Sequence, residues 1–398
     1  MKFTVSCAEL TTLLQHVVRG IPSGSISLPI LSQFLIEIKD GVLKATGADK
    51  TLRVSGSIAL ISSDGDKSFT VTPGNILEYV RALPEQPLVC EIIADENYEK
   101  MIISHQGGFS EFAISDSALY PSGFESDNKD SGEETSPRSL SVISDTLLMG
   151  IASTLPAVST DANRPIMTGI YFDVTDSGLV LVSTDSKVLT KFVDKDAKIS
   201  MEQSDAVYHK VNGFSLIAKT CSLLKSLLSA FPGEEVMVEY TNVKARFTFG
   251  SYEVVSLLNI GVFPNYNSVI PNNPYKLTVD KAELQIALRR IGRSFSASSL
   301  VIVLLVFKDD IINLSSHSMD LSVKSEEIVS ADMPSELTGM KICFDGKTLA
   351  TQLSVFPSKT VDIYLADQTR AAFIAPSESD LNVELCSIVL PLKMIGEV

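Results

Sequence analysis

The chain has 398 residues, 45% of them hydrophobic, with no tryptophan and a formal net charge of −15. This length suits two to four domains, and the scarcity of aromatic side chains excludes a dense aromatic site. Averaged over the chain, the acid excess argues against nucleic acid, because phosphate binding needs local Lys and Arg.

The opening, MKFTVSCAEL, predicts a short strand running into a helix over 8–19. Alternating segments such as LIEIKDGVLKATG follow, with Asp-Gly between apolar runs as a hairpin signal. A second helix is predicted over 74–83, opened by Gly74. After the corner at Pro121, residues 121–139 carry five acids and no apolar period, which marks an exposed linker. LSVISDTLLMG then restarts the pattern, with a helix over 145–155. A strand, LVLVSTD, is followed by a helix over 213–231 opened by Gly213, and by the hairpin VMVEYTNVKARFTFG. The segment PNYNSVIPNNP, 264–274, is a second linker. YKLTVDKAEL starts the pattern again, with a helix over 281–296. LVIVLLVF, 300–307, is too short to span a bilayer and reads as a buried strand. A last helix is expected over 346–357, opened by Gly346, before the corner at Pro391.

Four landmarks thus recur in the same order. Leu10, Leu147 and Leu284 are separated by 137 and 137 residues. The strands LKATGAD, LVLVSTD and INLSSHS are separated by 136 and 133. Gly74, Gly213 and Gly346 are separated by 139 and 133, and Pro121, Pro264 and Pro391 by 143 and 127. One third of the chain is about 133 residues, so the sequence reads as one unit written three times. The boundaries are 1–128, 129–270 and 271–398. Each unit is an α+β domain with two helices on one face of antiparallel sheet.

The repeat changes the meaning of the charge. The six predicted helices hold nine bases and four acids, a net +5, which leaves −20 elsewhere. In 213–231, Ser215, Lys219, Ser222, Ser226 and Ser229 share a face opposite Leu216, Leu223 and Leu227. In 281–296, Lys281, Gln285, Arg289, Arg293 and Ser296 form a similar stripe. Small polar residues with Lys and Arg suit phosphate contacts without sequence readout.

Other chemistry finds no residues. The five cysteines are scattered, without metal or redox spacing, and predict reduced core thiols. His16, His105, His209 and His317 lack ligand spacing. No P-loop, dinucleotide fingerprint or nucleophile elbow is present. The expectation is no catalysis, no metal and no cofactor. Glu9, Gln15 and His16 interrupt any signal-peptide core, so a soluble cytoplasmic protein without membrane contact is expected. The rival readings are an enzyme on a repeated scaffold and a structural repeat protein. The second gives no reason for bases to collect on helices.

With MKFTV and SLPILSQFLIEI near the start, NRPIMTGIYFDV, LVSTDSKVL and FPNYNSVIP in the middle, and IVLPLKM at the end, the chain resembles the bacterial DNA polymerase III beta subunit family, the replicative sliding clamps. The resemblance runs from end to end. It implies three clamp-type domains in tandem and a head-to-tail homodimer forming a six-domain ring. It implies that duplex DNA threads the hole without sequence specificity. DNA-facing residues would be Arg19, Arg81, Arg164, Lys219, Lys225, Arg289, Arg290, Arg293 and Lys347. It also implies a groove between the second and third domains for a short motif of the polymerase III alpha subunit, the clamp-loader complex and other clamp-motif proteins. Matching by motif, the groove residues are Met167, Thr184, Ser186, Lys187, Val188, Leu189, Pro264, Ser268, Val269, Leu300, Thr348, Ile388, Leu390, Pro391 and Leu392. The chain departs from the family pattern where Ser186-Lys187-Val188 replaces a Gly-His-Arg type of stretch. Thr348 stands where an aromatic is frequent, and Ser268 where Arg is frequent. PSGSIS, 22–27, lacks a frequent Arg, and Ile395 to Val398 extend past the usual end.

Overall fold

The structure is a computed structural model that describes residues 1–22, 28–94, 99–121, 137–176, 178–200, 213–295, 300–318, 322–378 and 380–393. Most of the linker expected over 121–139, residues 23–27, His209, Ser296 and Ile395 to Val398 lie outside the described residues.

Among the described residues there are six α-helices, and each comes straight off a strand. Lys2–Ser6 leads into α1, Cys7–Val17. Lys67–Val71 leads into α2, Pro73–Arg81. Arg138–Ile143 leads into α3, Ser144–Thr154, and Gly213–Ile217 into α4, Ala218–Leu228. Tyr275–Asp280 leads into α5, Lys281–Ser294, and Lys341–Asp345 into α6, Gly346–Leu353. Helices α1, α3 and α5 start at 7, 144 and 281, which keeps the spacing of 137.

Local chemistry explains the sharp strand-to-helix switch. Ser6 Oγ accepts the Glu9 N–H at 3.2 Å, and Asp280 Oδ1 accepts the Glu283 N–H at 3.0 Å. Both are Ser/Asp-x-x-Glu starts, which satisfy an otherwise orphaned helical N–H. Asp345 does the same for the Lys347 N–H at 3.2 Å.

One expectation fails here. Gly213 does not open a helix; it opens the strand Gly213–Ile217, and α4 begins five residues later. Ser215, expected on a solvent face, is buried. Its hydroxyl donates to the Ile166 carbonyl at 3.1 Å and accepts from Asn259 Nδ2 at 3.3 Å. The helical period of Leu216, Leu223 and Leu227 ran backwards into a strand buried on both faces. In α5, Gln285 also leaves the expected stripe: it is buried, and Nε2 donates to the Ala350 carbonyl at 2.9 Å. Lys281 turns to the Phe356 carbonyl at 2.6 Å.

The chain divides into two compact units. The first contains Met1–Asp145 and Leu223–Leu258; the second contains Thr146–Ile199 and Asn259–Val398, with 213–222. In the first unit, antiparallel pairing runs from strand to strand out to Leu52–Ala59, which pairs with Tyr252–Asn259 in the register Val54 to Val254. That strand continues through Lys244–Phe249 and Glu235–Tyr240 to Arg138–Ile143. The Asp40-Gly41 hairpin has both residues at positive φ, 50° and 76°, as a tight primed turn requires. Helix α1 lays Leu10, Leu13, Leu14 and Val17, all buried, against this sheet. Each such side chain stabilises by about 1.5–3 kcal/mol.

In the second unit, Gly169–Thr175, Gly178–Thr184 and Val188–Asp194 pair in order. Val188–Asp194 then pairs with Val383–Val389, setting Val188 opposite Val389 and Leu189 opposite Ile388. The sheet goes on through Ala372–Pro376 and Thr360–Leu365 to Tyr275–Asp280. Helices α5 and α6 pack on each other, and α5 buries Leu284, Ala287, Leu288 and Ile291. Four of the five cysteines are buried and Cys386 is half-buried. Among the described residues, no helix is long and apolar enough to cross a membrane.

Candidate functional site

The expected groove residues fall within the second unit, and backbone hydrogen bonds connect most of their segments. The Leu390 N–H donates to the Lys187 carbonyl at 2.9 Å. The Leu392 N–H donates to the Cys343 carbonyl at 2.8 Å, and the Gly346 N–H to the Val301 carbonyl at 2.8 Å. The stretches 187–189, 388–392, 343–348 and 300–301 are therefore tied one to the next.

The turn between Thr184 and Val188 is built by side chains. Asp185 Oδ1 accepts the Lys187 and Val188 N–H groups at 2.7 and 2.8 Å. Thr184 Oγ1 donates to the Val188 carbonyl at 2.6 Å and accepts the Ser186 N–H at 3.1 Å. Ser186 is left-handed, with φ 79°, a conformation in which a Cβ costs about 1–2 kcal/mol. Arg164 Nη1 donates to Ser186 Oγ at 2.7 Å. Arg164, expected to face DNA, is thus bonded to Ser186, which was expected in the groove, and its guanidinium lies 3.9 Å from Asp161.

Beneath the turn lies an apolar cluster of Leu189, Ile388, Tyr171, Phe263 and Tyr266, with Ile166 packed against it. Tyr171 and Phe263 stack at 4.7 Å. Tyr266 donates to Asp173 Oδ2 at 2.7 Å. Its phenol is held well above the usual range by burial, and by the hydrogen bond and charge of Asp173. Met167, Thr184, Val188, Leu189 and Ile388 are buried, so they form the floor. Val269, Leu300 and Leu390 are 55%, 46% and 46% exposed, and Pro264 is also open. Pro391 and Leu392 are half-buried. Two residues are occupied locally: Ser268 Oγ donates to the Asn265 carbonyl at 2.7 Å, and Thr348 Oγ1 to Asp345 at 2.7 Å. An apolar floor with exposed aliphatic residues and a few polar groups suits a hydrophobic peptide anchor. Sequence reasoning missed Ile166, Tyr171, Phe263 and Tyr266, although the FPNY string held two of them in view.

The basic set is exposed throughout: Arg19, Arg81, Arg164, Lys219, Lys225, Arg289, Arg290, Arg293 and Lys347. Arg19 follows α1 and donates to Ser226 at 2.5 Å. Arg81 pairs with Glu78 at 3.0 Å, and Arg290 with Glu327 at 3.3 Å. Among the described residues Arg289 and Arg293 make no ion pair. Charge is uneven between helix pairs. By residue count α1 and α2 carry −1, α3 and α4 carry +1, and α5 and α6 carry +4.

The model of the DNA polymerase III beta subunit N-terminal domain matches residues 1–121. The beta sliding clamp of Staphylococcus aureus is 24% identical over 401 residues, covering 99% of both chains. That of Staphylococcus epidermidis is 23% identical over 402 residues, again covering 99% of each. The similarity therefore extends well beyond residue 121, over nearly the whole chain. Over nearly its whole length the chain is thus similar to beta sliding clamps, and its first 121 residues match the beta subunit's N-terminal domain. Solved clamps share its fold. The DNA polymerase III subunit beta of Pseudomonas aeruginosa superposes with a TM-score of 0.86 at 20% identity, covering 99% of this chain and 100% of that one. The sliding clamp of Bartonella birtlesii, bound to griselimycin, gives 0.83 at 24% identity with the same coverage.

Proposed function

We propose that this chain is a DNA sliding clamp, a non-catalytic processivity factor of DNA polymerase III. Two copies close head to tail into a ring, and duplex DNA passes through it. The domains are 1–128, 129–270 and 271–398, six in the ring, with the helices towards the DNA and the sheets outside. Contacts to phosphates hold charge but carry no sequence information, so the ring slides. The acidic remainder of the chain repels DNA from the outer wall. The polymerase III alpha subunit, the clamp-loader complex and other clamp-motif proteins insert a short apolar motif over Leu189 and Ile388, beside Val269, Leu300 and Leu390. The protein works in the cytoplasm, on the chromosome.

One observation carries this reading. Six strand-to-helix units place net positive charge on the helices of an otherwise acidic chain that aligns with clamps over 99% of its length. The test is salt-challenged retention after loading on circular and on linear DNA. A topologically held ring stays on the circle at salt that strips ionic contacts, and runs off free ends. Equal loss from both would leave the clamp fold without its function.

A further inference from the structure

Helices α5 and α6 enclose a cleft of about 390 Å³ on their open side. Arg289 and Arg293 from α5 and Lys347 from α6 line it. Its depth comes from small residues: Gly292 stands between the two arginines, and Ala350 faces from α6. A Cβ on Gly292 would meet nothing within 4 Å. Thr351 adds a hydroxyl to the wall. That hydroxyl donates to the Lys347 carbonyl at 2.8 Å, so its oxygen can still accept but its proton is spent. The donors that no ion pair holds among the described residues are therefore the guanidinium groups of Arg289 and Arg293. Arg289 and Arg293 make no ion pair among the described residues, whereas Arg290, on the same helix, is held by Glu327.

We propose that this cleft seats a single backbone phosphodiester of the threaded duplex, one such seat per subunit, so that the third repeat provides the principal grip on DNA. The proposal rests on the clamp reading and adds the place and chemistry of contact. Guanidinium groups offer forked donors that match phosphate oxygens, and Lys adds a point charge. The cleft reads a phosphate and not a base, because the two guanidinium groups can be satisfied by oxygens common to every nucleotide. The other two helix pairs, at −1 and +1, have no comparable excess of positive charge. A sliding duplex would step its phosphates through this seat, which gives sliding a small periodic barrier.

Two variants separate the seat from general electrostatics. Gly292→Leu fills the cleft and keeps every charge, and it replaces a glycine in a helix interior, where that residue is unfavourable. Arg289→Gln with Arg293→Gln empties the cleft of guanidinium. The assay tracks single loaded clamps on duplex DNA with both ends blocked, at low salt. Both variants should remain trapped, and each should diffuse about threefold faster than wild type, as expected for loss of an exposed charge contact. A duplex carrying a photoreactive phosphorothioate should cross-link wild-type protein at α5 and α6, and Gly292→Leu should lose that cross-link. Wild-type diffusion by Gly292→Leu with its cross-link intact would overturn the seat. Failure of wild type itself to stay trapped would instead overturn the clamp reading.

Discussion

Replacing Gln352 with leucine should loosen the sheet that underlies the groove. Gln352 is 1% exposed, and its Oε1 accepts the hydroxyls of Thr190 and Ser387, each at 2.9 Å and each fully buried. Thr190 lies on the strand that begins with Val188 and Leu189, and Ser387 is next to Ile388. Leucine removes the shared acceptor and leaves two buried donors. They stand 3.5 Å apart, so one can turn to the other, and one remains unsatisfied. That costs about 1–3 kcal/mol. Urea denaturation with hydrogen exchange on strands 188–194 and 383–389 should register this loss, with weaker binding of a clamp-motif peptide. The triple variant Thr190→Val, Ser387→Ala, Gln352→Leu removes both sides of the network and should recover most of the stability, because no donor is stranded. A triple variant weaker than Gln352→Leu alone would refute this reasoning.

The remaining predictions concern the surface, the turn and pH. Arg289→Glu with Arg293→Glu should weaken low-salt binding to open-ended duplex DNA, where topology does not hold the ring, while the circular dichroism spectrum stays that of wild type; unchanged binding would remove these residues from the DNA face. Leu390→Asp should weaken clamp-motif peptide binding at least tenfold by fluorescence anisotropy, and should spare dimerisation in sedimentation. Ser186→Gly should raise stability by up to ~1 kcal/mol by relieving the left-handed Cβ. It should also weaken peptide binding, because Arg164 loses its anchor; tighter binding would mean that Arg164 contacts the peptide better when free. His16 packs its ring edge-on to Tyr252 at 5.2 Å. Burial, and then the charge of Arg19, lowers its pKa below the ordinary 6.5. The unfolded chain therefore takes up the proton more readily, so the stability owed to neutral His16 is complete above about pH 6.5 and falls as the pH drops below it. His16→Phe should flatten that part of a pH titration of stability, and an unchanged profile would assign the slope to other groups.

The repeat could be read from the chain because strand-to-helix switches leave local marks. Ser6-x-x-Glu9 and Asp280-x-x-Glu283 cap helices through contacts within four residues, which a sequence displays directly. The start of α4 was misplaced because Leu216 fits a helical period that begins only at Ala218. Nothing local distinguishes a strand buried on both faces from the first turn of an apolar helix. The candidate groove was proposed from the sequence only by resemblance. Its floor joins Leu189 to Ile388 across nearly half of the chain, and the Arg164 to Ser186 bond depends on a left-handed turn that Ser does not advertise.

The pairing of Val188–Asp194 with Val383–Val389 has a consequence for how the protein is made. The strand at 188–194 emerges from the ribosome with one edge uncovered, and its partner at 383–389 is translated about 190 residues later. At ordinary synthesis rates of about 5–20 residues per second, that edge waits roughly 10–40 seconds. Exposed strand edges are templates for wrong partners. The first unit, whose sheet is complete once residue 259 has appeared, can fold during this interval. The second has to be held open until Val389 has been made, so nascent-chain misfolding should concentrate on its half-built sheet.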